Sequence, residues 1–269
     1  MYGFSYFKTN SEALYMLTSD DGYNWKPFNN GSAVLTGTVG EKTLRDPFVF
    51  KDQQGVYHLI STNGWQSSSI VHTTSTDLLN WTDQKFLPVM GDIKGVSNTW
   101  APECIYDSKA DTYMIYWSST VRKSIFSKRR NHRIWYTTTK DFNRFTESKV
   151  LFDPGYNVID ASIIKYKSQY LMAFKDERGQ HLFPKYKGIR MCTSESPQGP
   201  FKNITDIISP KPVEGPSLFI IEDKLVMFYD YFTKGRYGAS SSLDGNHWQN
   251  VDDSFNLPND LRHGAVFKL

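Results

Sequence analysis

The chain has 269 residues, of which 39% are hydrophobic and 15% aromatic, enough to build a sizeable buried core. Its formal net charge is only +3, so the overall charge favours no nucleic acid or other highly charged partner. The sequence contains no apolar run long enough to span a membrane, and its opening, MYGFSYF, lacks the basic and apolar regions of a leader peptide. We therefore expect a cytoplasmic protein, or a secreted or periplasmic one if a leader has been removed.

The chain opens with two segments typical of strands, YGFSYF and LYMLTS, and the second of these begins a pattern that occurs five times. Each copy has a β-branched or aromatic run, then a turn residue that is usually acidic, and an aromatic residue four positions later. The turn residues and their aromatics are Asp21 with Trp25, Asp77 with Trp81, Asp141 with Phe145, Pro197 with Phe201, and Asp244 with Trp248. This constant offset indicates one repeated structural unit rather than independent hairpins.

A second set of strand-like segments alternates with the first along the chain. Its members are RDPFVF (45–50), APECIY (101–106), IDASII (159–164), EGPSLF (214–219) and RHGAVF (262–267). All but the last are followed, after a polar turn, by another strand-like run. Two alternating sets of this spacing predict an all-β fold, a five-bladed β-propeller, with residues 1–269 forming one catalytic domain.

The order of the two sets predicts how the propeller closes. The chain begins with the outer strands of a blade and ends on a first strand, RHGAVFKL. The last blade should therefore combine N-terminal outer strands with the C-terminal inner strand. Such closure leaves fewer unpaired sheet edges.

Charged residues recur at the starts of the second set, and they are the candidates for chemistry. The first strand of each propeller blade lines the central axis, so these starts should converge at one end of the channel. We expect Asp46, Glu103, Asp160, Glu214 and His263 there at one common phase of the repeat, with Arg45 and Arg262 beside them. The structural alternative is that the acids bind turn amides and pair with the arginines. Carboxylates that converge repel one another, which would raise the pKa of at least one of them. Two carboxylates at a sugar-sized separation are the minimum that glycoside hydrolysis requires.

The strand starts also carry motifs that resemble those of glycoside hydrolase family 43. These are Arg45-Asp46-Pro47, Trp100-Ala101-Pro102-Glu103, Ile159-Asp160, Glu214-Gly215-Pro216 and Arg262-His263-Gly264. The resemblance implies an inverting hydrolase in which Asp46 is the general base, Asp160 adjusts the pKa of its neighbours, and Glu214 is the general acid. It also implies a carbohydrate substrate and no required cofactor.

The remaining candidates would bind substrate, and none is predicted to bind a metal. They are Arg45, Trp100, Glu103, Lys175, Arg262 and His263; Trp100, immediately before a strand start, is the favoured pocket residue among several nearby aromatics that include Trp65. In some members of the family a histidine resembling His263 lies by a calcium ion or a water molecule. A lone histidine is weak evidence for a metal, and we expect a hydrogen-bonded imidazole there.

Several alternatives remain open at this level. An exo-acting α-L-arabinofuranosidase is the first choice; a β-xylosidase, β-galactosidase, galactofuranosidase or galactanase of the same fold is the alternative. A retaining fructan hydrolase is disfavoured because its Asn-Asp-Pro-Asn segment is missing from the N-terminus. A propeller that binds glycans without turnover is the rival of another class. The basic segment 121–133 is interpreted as a solvated loop inserted between strands, or as a lid or a handle for acidic polysaccharide.

Overall fold

A computed structural model describes residues 1–122, 130–178 and 187–269, which form five antiparallel sheets. Each sheet is one blade of a propeller, with its first-named strand at the inner edge and its last at the outer edge. Blade 1 has β4 (Arg45–Lys51), β5 (Tyr57–Thr62), β6 (Ile70–Ser75) and β7 (Lys85–Leu87). Blade 2 has β8 (Trp100–Asp107), β9 (Thr112–Thr120), β10 (His132–Thr139) and β11 (Lys149–Phe152). Blade 3 has β12 (Val158–Tyr166), β13 (Gln169–Asp176) and β14 (Gly188–Ser194).

The last two blades complete the ring. Blade 4 has β15 (Glu214–Ile221), β16 (Lys224–Tyr231), β17 (Arg236–Ser242) and β18 (Gln249–Asn250). Blade 5 has β19 (Arg262–Lys268), β1 (Tyr2–Lys8), β2 (Ser11–Ser19) and β3 (Lys26–Pro27). Short 3₁₀ turns occupy Phe28–Gly31 and Asp252–Ser254. The predicted five-bladed β-propeller is confirmed. Residues 123–129 of the basic segment lie outside the described residues.

Blade 5 joins the two ends of the chain in one sheet, as predicted. Strands β1 and β19 pair antiparallel, with Tyr2 opposite Lys268 and Ser5 opposite Ala265. The Ser5 hydroxyl also donates a hydrogen bond of 2.6 Å to the carbonyl of Pro47 in blade 1. The closing strands are thus tied both to each other and to the next blade.

The outer turns explain the repeated acidic residue and the aromatic that follows it. The Asp21 carboxylate accepts hydrogen bonds from the backbone N–H groups of Tyr23 and Asn24, each over 2.8 Å. Asp77, Asp141 and Asp244 make the same pair of bonds in their own turns. The turn reverses the chain so that Trp25 returns into the core between blades 4 and 5. Blade 3 has Pro197 at the turn, and among its described residues a single bridge from Thr193 to Lys202 replaces the fourth strand.

Inner strands are linked across blades by side chains that accept backbone hydrogen bonds. The Ser162 hydroxyl in blade 3 accepts from the N–H of Leu218 in blade 4 over 3.1 Å. The Ser217 hydroxyl accepts from the N–H of Val266 in blade 5 at the same distance. These bonds fix the height of each inner strand relative to its neighbour, so the strand starts are held at one level.

Candidate active site

Four of the five inner strands begin with a β-bulge that redirects a side chain. The register with the second strand shifts after the first motif residue, which is Arg45, Trp100, Ile159 or Glu214. The residue that follows has a positive φ, namely 48° at Asp46, 48° at Ala101, 55° at Asp160 and 55° at Gly215. Left-handed backbone is strained for most residues, although aspartate tolerates it better than many. A bulge of this kind re-aims the side chain that it carries.

The four acids do not occupy one common position in the repeat, which corrects the expectation from the sequence. Asp46 and Asp160 are second residues of their motifs, whereas Glu214 is a first residue and Glu103 a fourth. Asp46, Asp160 and Glu214 nevertheless line one central cavity, whereas Glu103 does not. The position of Glu103 matches that of Ser162 in the next blade, one layer below the cavity.

A central cavity of about 110 Å³ opens where the inner strands begin. Six of the predicted catalytic and substrate-binding residues line it, and these are Arg45, Asp46, Trp100, Asp160, Glu214 and His263. Sequence reasoning assigned no role to Thr62 and Ile159, which also line it. Thr62 ends a second strand that carries no motif of its own, so its part in the site becomes apparent only from its position beside Asp46 in the structure. The cavity has room for one sugar ring at most.

Asp46 is held in its ionised form. Its Oδ1 lies 3.2 Å from His263 Nδ1, and its Oδ2 accepts a hydrogen bond of 2.6 Å from the Thr62 hydroxyl. Burial alone would raise the pKa of Asp46, but the charges of His263 and Arg45 and these hydrogen bonds lower it to about 2. A carboxylate that stays charged across the working pH range suits a general base.

His263 is the cation at the centre of the site. Burial by itself lowers the pKa of His263, but the carboxylates of Asp160, Asp46 and Glu214 raise it to about 10. The ring is therefore a protonated imidazolium at neutral pH. Within residues 1–122, 130–178 and 187–269, no group of three or more His, Cys, Asp or Glu side chains is arranged to hold a metal ion.

The pKa of Asp160 is shifted in the opposite direction from that of Asp46. Burial raises the pKa of Asp160 to about 6 because it outweighs the lowering by the charges of His263 and Lys175, and the charges of Glu214 and Asp46 add smaller increases. Its Oδ2 accepts a hydrogen bond of 3.3 Å from the N–H of Gly215. Asp160 therefore holds a proton on the acid side of neutrality.

Glu214 is paired with two cations. Lys175 Nζ lies 2.6 Å from its Oε2 and Arg262 Nη2 lies 3.1 Å from its Oε1. Although burial raises the pKa of Glu214, these charges and that of His263 lower it below its usual range. Oppositely charged side chains continue on both sides of the carboxylate, in the order Lys187, Glu177, Lys175, Glu214, Arg262 and Asp230. When the Asp160–Glu214 pair holds one proton in the protein without substrate, Glu214 is thus the member that carries the charge.

Three predicted substrate-binding residues do not line the cavity. Lys175 and Arg262 contact Glu214 and act on its charge. Glu103 is buried below the cavity, where its Oε2 accepts a hydrogen bond of 2.8 Å from the Tyr116 hydroxyl. Burial raises the pKa of Glu103 to about 8, so this side chain is neutral at pH 7. The expected contact between Glu103 and substrate is therefore not supported, because its motif position points it into a deeper layer.

Aromatic side chains form one wall of the cavity. Trp65 is 59% exposed, and its ring centroid lies 5.7 Å from that of Trp100 in an edge-to-face arrangement. The Trp100 indole N–H donates a hydrogen bond of 3.1 Å to the Trp65 carbonyl. The Arg45 guanidinium lies 4.7 Å from the Trp65 ring and pairs with Glu12. An exposed flat face beside buried carboxylates is suited to packing against a sugar ring.

Comparisons with known proteins support the propeller fold and the resemblance to glycoside hydrolase family 43. A family model described as a probable glycosyl hydrolase domain matches residues 1–269. An α-L-arabinofuranosidase of Bifidobacterium longum subsp. longum is 30% identical over 191 residues, which cover 60% of this chain and 18% of that protein. The chain thus spans about a fifth of the length of this curated relative.

Solved structures share the propeller at low sequence identity. A thermostable family-43 glycoside hydrolase superposes with a TM-score of 0.63 and 20% identity, covering 80% of this chain and 74% of the other. An endo-1,4-β-xylanase from Bacteroides thetaiotaomicron gives a TM-score of 0.64 and 16% identity, covering 93% and 90%. At these identities the likeness concerns the fold. No helix in the described part of the chain is long and apolar enough to cross a bilayer.

Proposed function

The chain belongs to the family of probable glycosyl hydrolase domains related to glycoside hydrolase family 43, and from that membership we propose that it hydrolyses glycosidic bonds with inversion. Residues 1–269 would act as one catalytic domain. The observation that carries this proposal is a cavity of about 110 Å³ that holds an ionised Asp46 and a separate carboxylate, Glu214. A cavity this small favours exo action, in which one terminal sugar enters at a time.

The proposed reaction divides the work between two carboxylates. Asp46 accepts a proton from a water molecule as that water attacks the anomeric carbon, and His263 and Thr62 hold the carboxylate in place. Glu214 donates a proton to the oxygen that leaves with the rest of the substrate. His263 keeps its positive charge throughout and offsets the negative charge of the nearby acids. Inversion follows because the water attacks from the face opposite the leaving group.

Glu214 must gain a proton before it can act as an acid. Asp160 has the higher pKa of the pair, so when the pair holds one proton in the protein without substrate, that proton resides on Asp160. Lys175 and Arg262 occupy both oxygens of Glu214. We propose that the leaving oxygen displaces one of these cations when substrate binds, which weakens the ion pairing and lets Glu214 take the proton.

The proposed sugar is a terminal α-L-arabinofuranosyl unit. The support is the identity with an α-L-arabinofuranosidase, which covers more than half of this chain. Nitrophenyl arabinofuranoside, xyloside, galactoside and galactofuranoside should be compared, and the arabinofuranoside should be hydrolysed fastest. Fastest turnover of another member would reassign the sugar within the same fold. Binding of arabinose-containing oligosaccharide without turnover of any member would identify a glycan-binding propeller.

The stereochemistry of the product gives the first prediction. Proton NMR during hydrolysis should show the anomer of opposite configuration to the substrate as the first product, before mutarotation. An inverting site needs about 6.5–9.5 Å between its two carboxyl groups to hold the water, against roughly 5–5.5 Å for a retaining one. Net retention would contradict the assignment of Asp46 as general base.

A second prediction concerns Lys175 and the pH profile. Replacing Lys175 by Met removes a positive charge from Glu214, so the pKa of Glu214 should rise. The general acid is active when protonated, and its activity is lost as pH rises through its pKa. The alkaline limb of kcat/KM should therefore move to higher pH in Lys175→Met, by about one to three pH units.

Lys187→Met is the matched control for this measurement. Lys187 is also a buried lysine of the same charged row, but it contacts Glu177 rather than Glu214. Its removal should leave the alkaline limb close to that of the wild type. An equal shift in both variants, or no shift in Lys175→Met, would show that Lys175 does not set the pKa of the proton donor.

A further inference from the structure

A second cavity of about 550 Å³ adjoins the central one. The two share Trp65 and Trp100 as a common wall. Ligand sites in proteins commonly measure about 300–1,000 Å³, so the second cavity has room for further units of an oligosaccharide. Because the central cavity accommodates one ring, the part of a substrate beyond the broken bond must extend out of it. The shared tryptophans lead from one cavity directly into the other.

The second cavity is basic. Arg122 and Arg130 line it, and no aspartate or glutamate is among the described residues of its wall. Arg122 is fixed through its backbone, where its N–H donates a hydrogen bond of 2.8 Å to the Gly95 carbonyl. The Arg130 guanidinium lies 5.8 Å from the Trp100 ring centroid. Two arginines beside an aromatic face, with no acid among the described residues of the cavity wall, favour an anionic ligand that also has a ring.

His132 gives an independent sign that the cavity receives a polar ligand. It lines the cavity and is 2% exposed, yet its Nε2 has no hydrogen-bond partner among the described residues. Its other ring nitrogen lies 2.9 Å from the Thr120 hydroxyl, and its ring centroid is 5.1 Å from that of Trp100. Burial and the Arg130 charge lower the pKa of His132 to about 4, so the ring is neutral. Buried polar atoms nearly always have a partner, and a sugar hydroxyl would supply one.

On the basis of the function proposed above, we propose that the second cavity binds the leaving-group portion of the substrate and selects an acidic sugar there. The carboxylate of a uronic acid unit pairs with Arg122 and Arg130. Its ring packs against Trp100, and one hydroxyl bonds His132. The site then acts on side-chain sugars borne by an acidic polysaccharide backbone, such as one built from uronic acids.

Direct binding tests this selectivity without turnover. Digalacturonic acid and galactobiose have the same rings, but only the first has carboxylates. Calorimetric titration of the intact protein with each disaccharide therefore measures how much the carboxylates contribute to affinity. At low salt the acidic disaccharide should bind about tenfold more tightly or better, and added salt should reduce the difference. Arg130→Gln should lose most of the preference. Arg144→Gln is the matched control, since this exposed arginine lies on an outer turn of the same blade.

Two outcomes would overturn the inference. Equal affinity for the two disaccharides would show that the arginines do not select charge. Inorganic sulfate that competes as strongly as digalacturonic acid would show an anion site with no preference for a sugar. The binding result can be distinguished from a failure of the proposed hydrolysis. A protein that prefers the acidic disaccharide but cleaves no glycoside would refute the proposed function alone. An active enzyme without the preference would refute this inference alone.

Discussion

Asp46→Asn should nearly abolish hydrolysis of every substrate, because every substrate needs the attacking water to lose its proton. The amide keeps the shape of the side chain but cannot accept that proton. General base catalysis contributes about 10²–10⁴-fold, so kcat should fall by at least that factor on natural and activated glycosides alike. Steady-state kinetics on an arabinose-containing oligosaccharide and on a dinitrophenyl glycoside would measure the two losses.

Glu214→Gln should separate the same two substrates. A sugar leaving group needs a proton in the transition state, whereas a dinitrophenolate leaves almost unaided. We expect a loss of about 10²–10⁴-fold on the oligosaccharide and a much smaller loss on the activated substrate. Glu103→Gln is the matched control. Glu103 is already neutral at pH 7 and lies below the cavity, so this variant should retain nearly full activity on both substrates.

The control also decides between two assignments of the proton donor. If Glu103→Gln, rather than Glu214→Gln, lost activity only on the natural substrate, the roles of the two glutamates would be exchanged. Comparable losses on both substrates in Glu214→Gln would instead indicate that Glu214 only positions the substrate.

Removal of residues 1–30 should destroy the cooperative fold. The deletion takes away β1, β2 and β3 and leaves β19 as a single exposed strand. It also removes Phe4, Leu17 and Trp25 from the core cluster that contains Val266. Losing one buried aromatic side chain typically lowers the free energy of unfolding by about 3–5 kcal/mol, and the whole free energy of unfolding of a domain is about 5–15 kcal/mol. The combined loss from the deletion is therefore larger than the stability of the domain. Aggregation or a broad, non-cooperative transition in urea is the expected result.

A point substitution keeps this test informative if the deletion variant is never recovered. Phe4→Ala should lower the free energy of unfolding by about 3–5 kcal/mol, since Phe4 is fully buried against Phe228 and Tyr237. Leu79→Ala, at a leucine that is 53% exposed, should change it by less than about 0.5 kcal/mol. A soluble deletion variant with the wild-type transition, or equal effects of the two substitutions, would rule out a stabilising role for the N-terminal strands.

The blade count and ring closure could be read from the sequence because local chemistry repeats in every blade. The Asp21 carboxylate binds its own turn and returns Trp25 to the core, and the same physics operates at Asp77 and Trp81. A fixed offset between two such residues survives changes elsewhere in the chain. The approach of the catalytic candidates Asp46, Asp160 and Glu214 to one cavity follows from that count.

The depth of each acid could not be read in this way. A bulge shifts the alternation of side chains by one residue, and neither composition nor spacing marks where it occurs. The sequence predicts Glu103 beside the substrate, although its fourth position in the motif takes its carboxyl a layer deeper. The pairing of Glu214 with Lys175 and Arg262 joins three blades. Contacts between residues so far apart in sequence depend on the closed ring, and local patterns do not reveal them.

The left-handed backbone at Asp46 and Asp160 also restricts the evolutionary routes by which such a propeller could lose its activity. Asparagine and glycine accept this conformation with little cost, and Gly215 occupies the same position in blade 4. A β-branched residue would strain the strand and threaten folding before selection on function could act. Descendants that survive as silent, glycan-binding copies should therefore carry a residue without a β-branch, such as Asn, Gly or Ala, at positions 46 and 160, since Ala101 has the same backbone in blade 2. These two positions would distinguish inactive lineages from active ones.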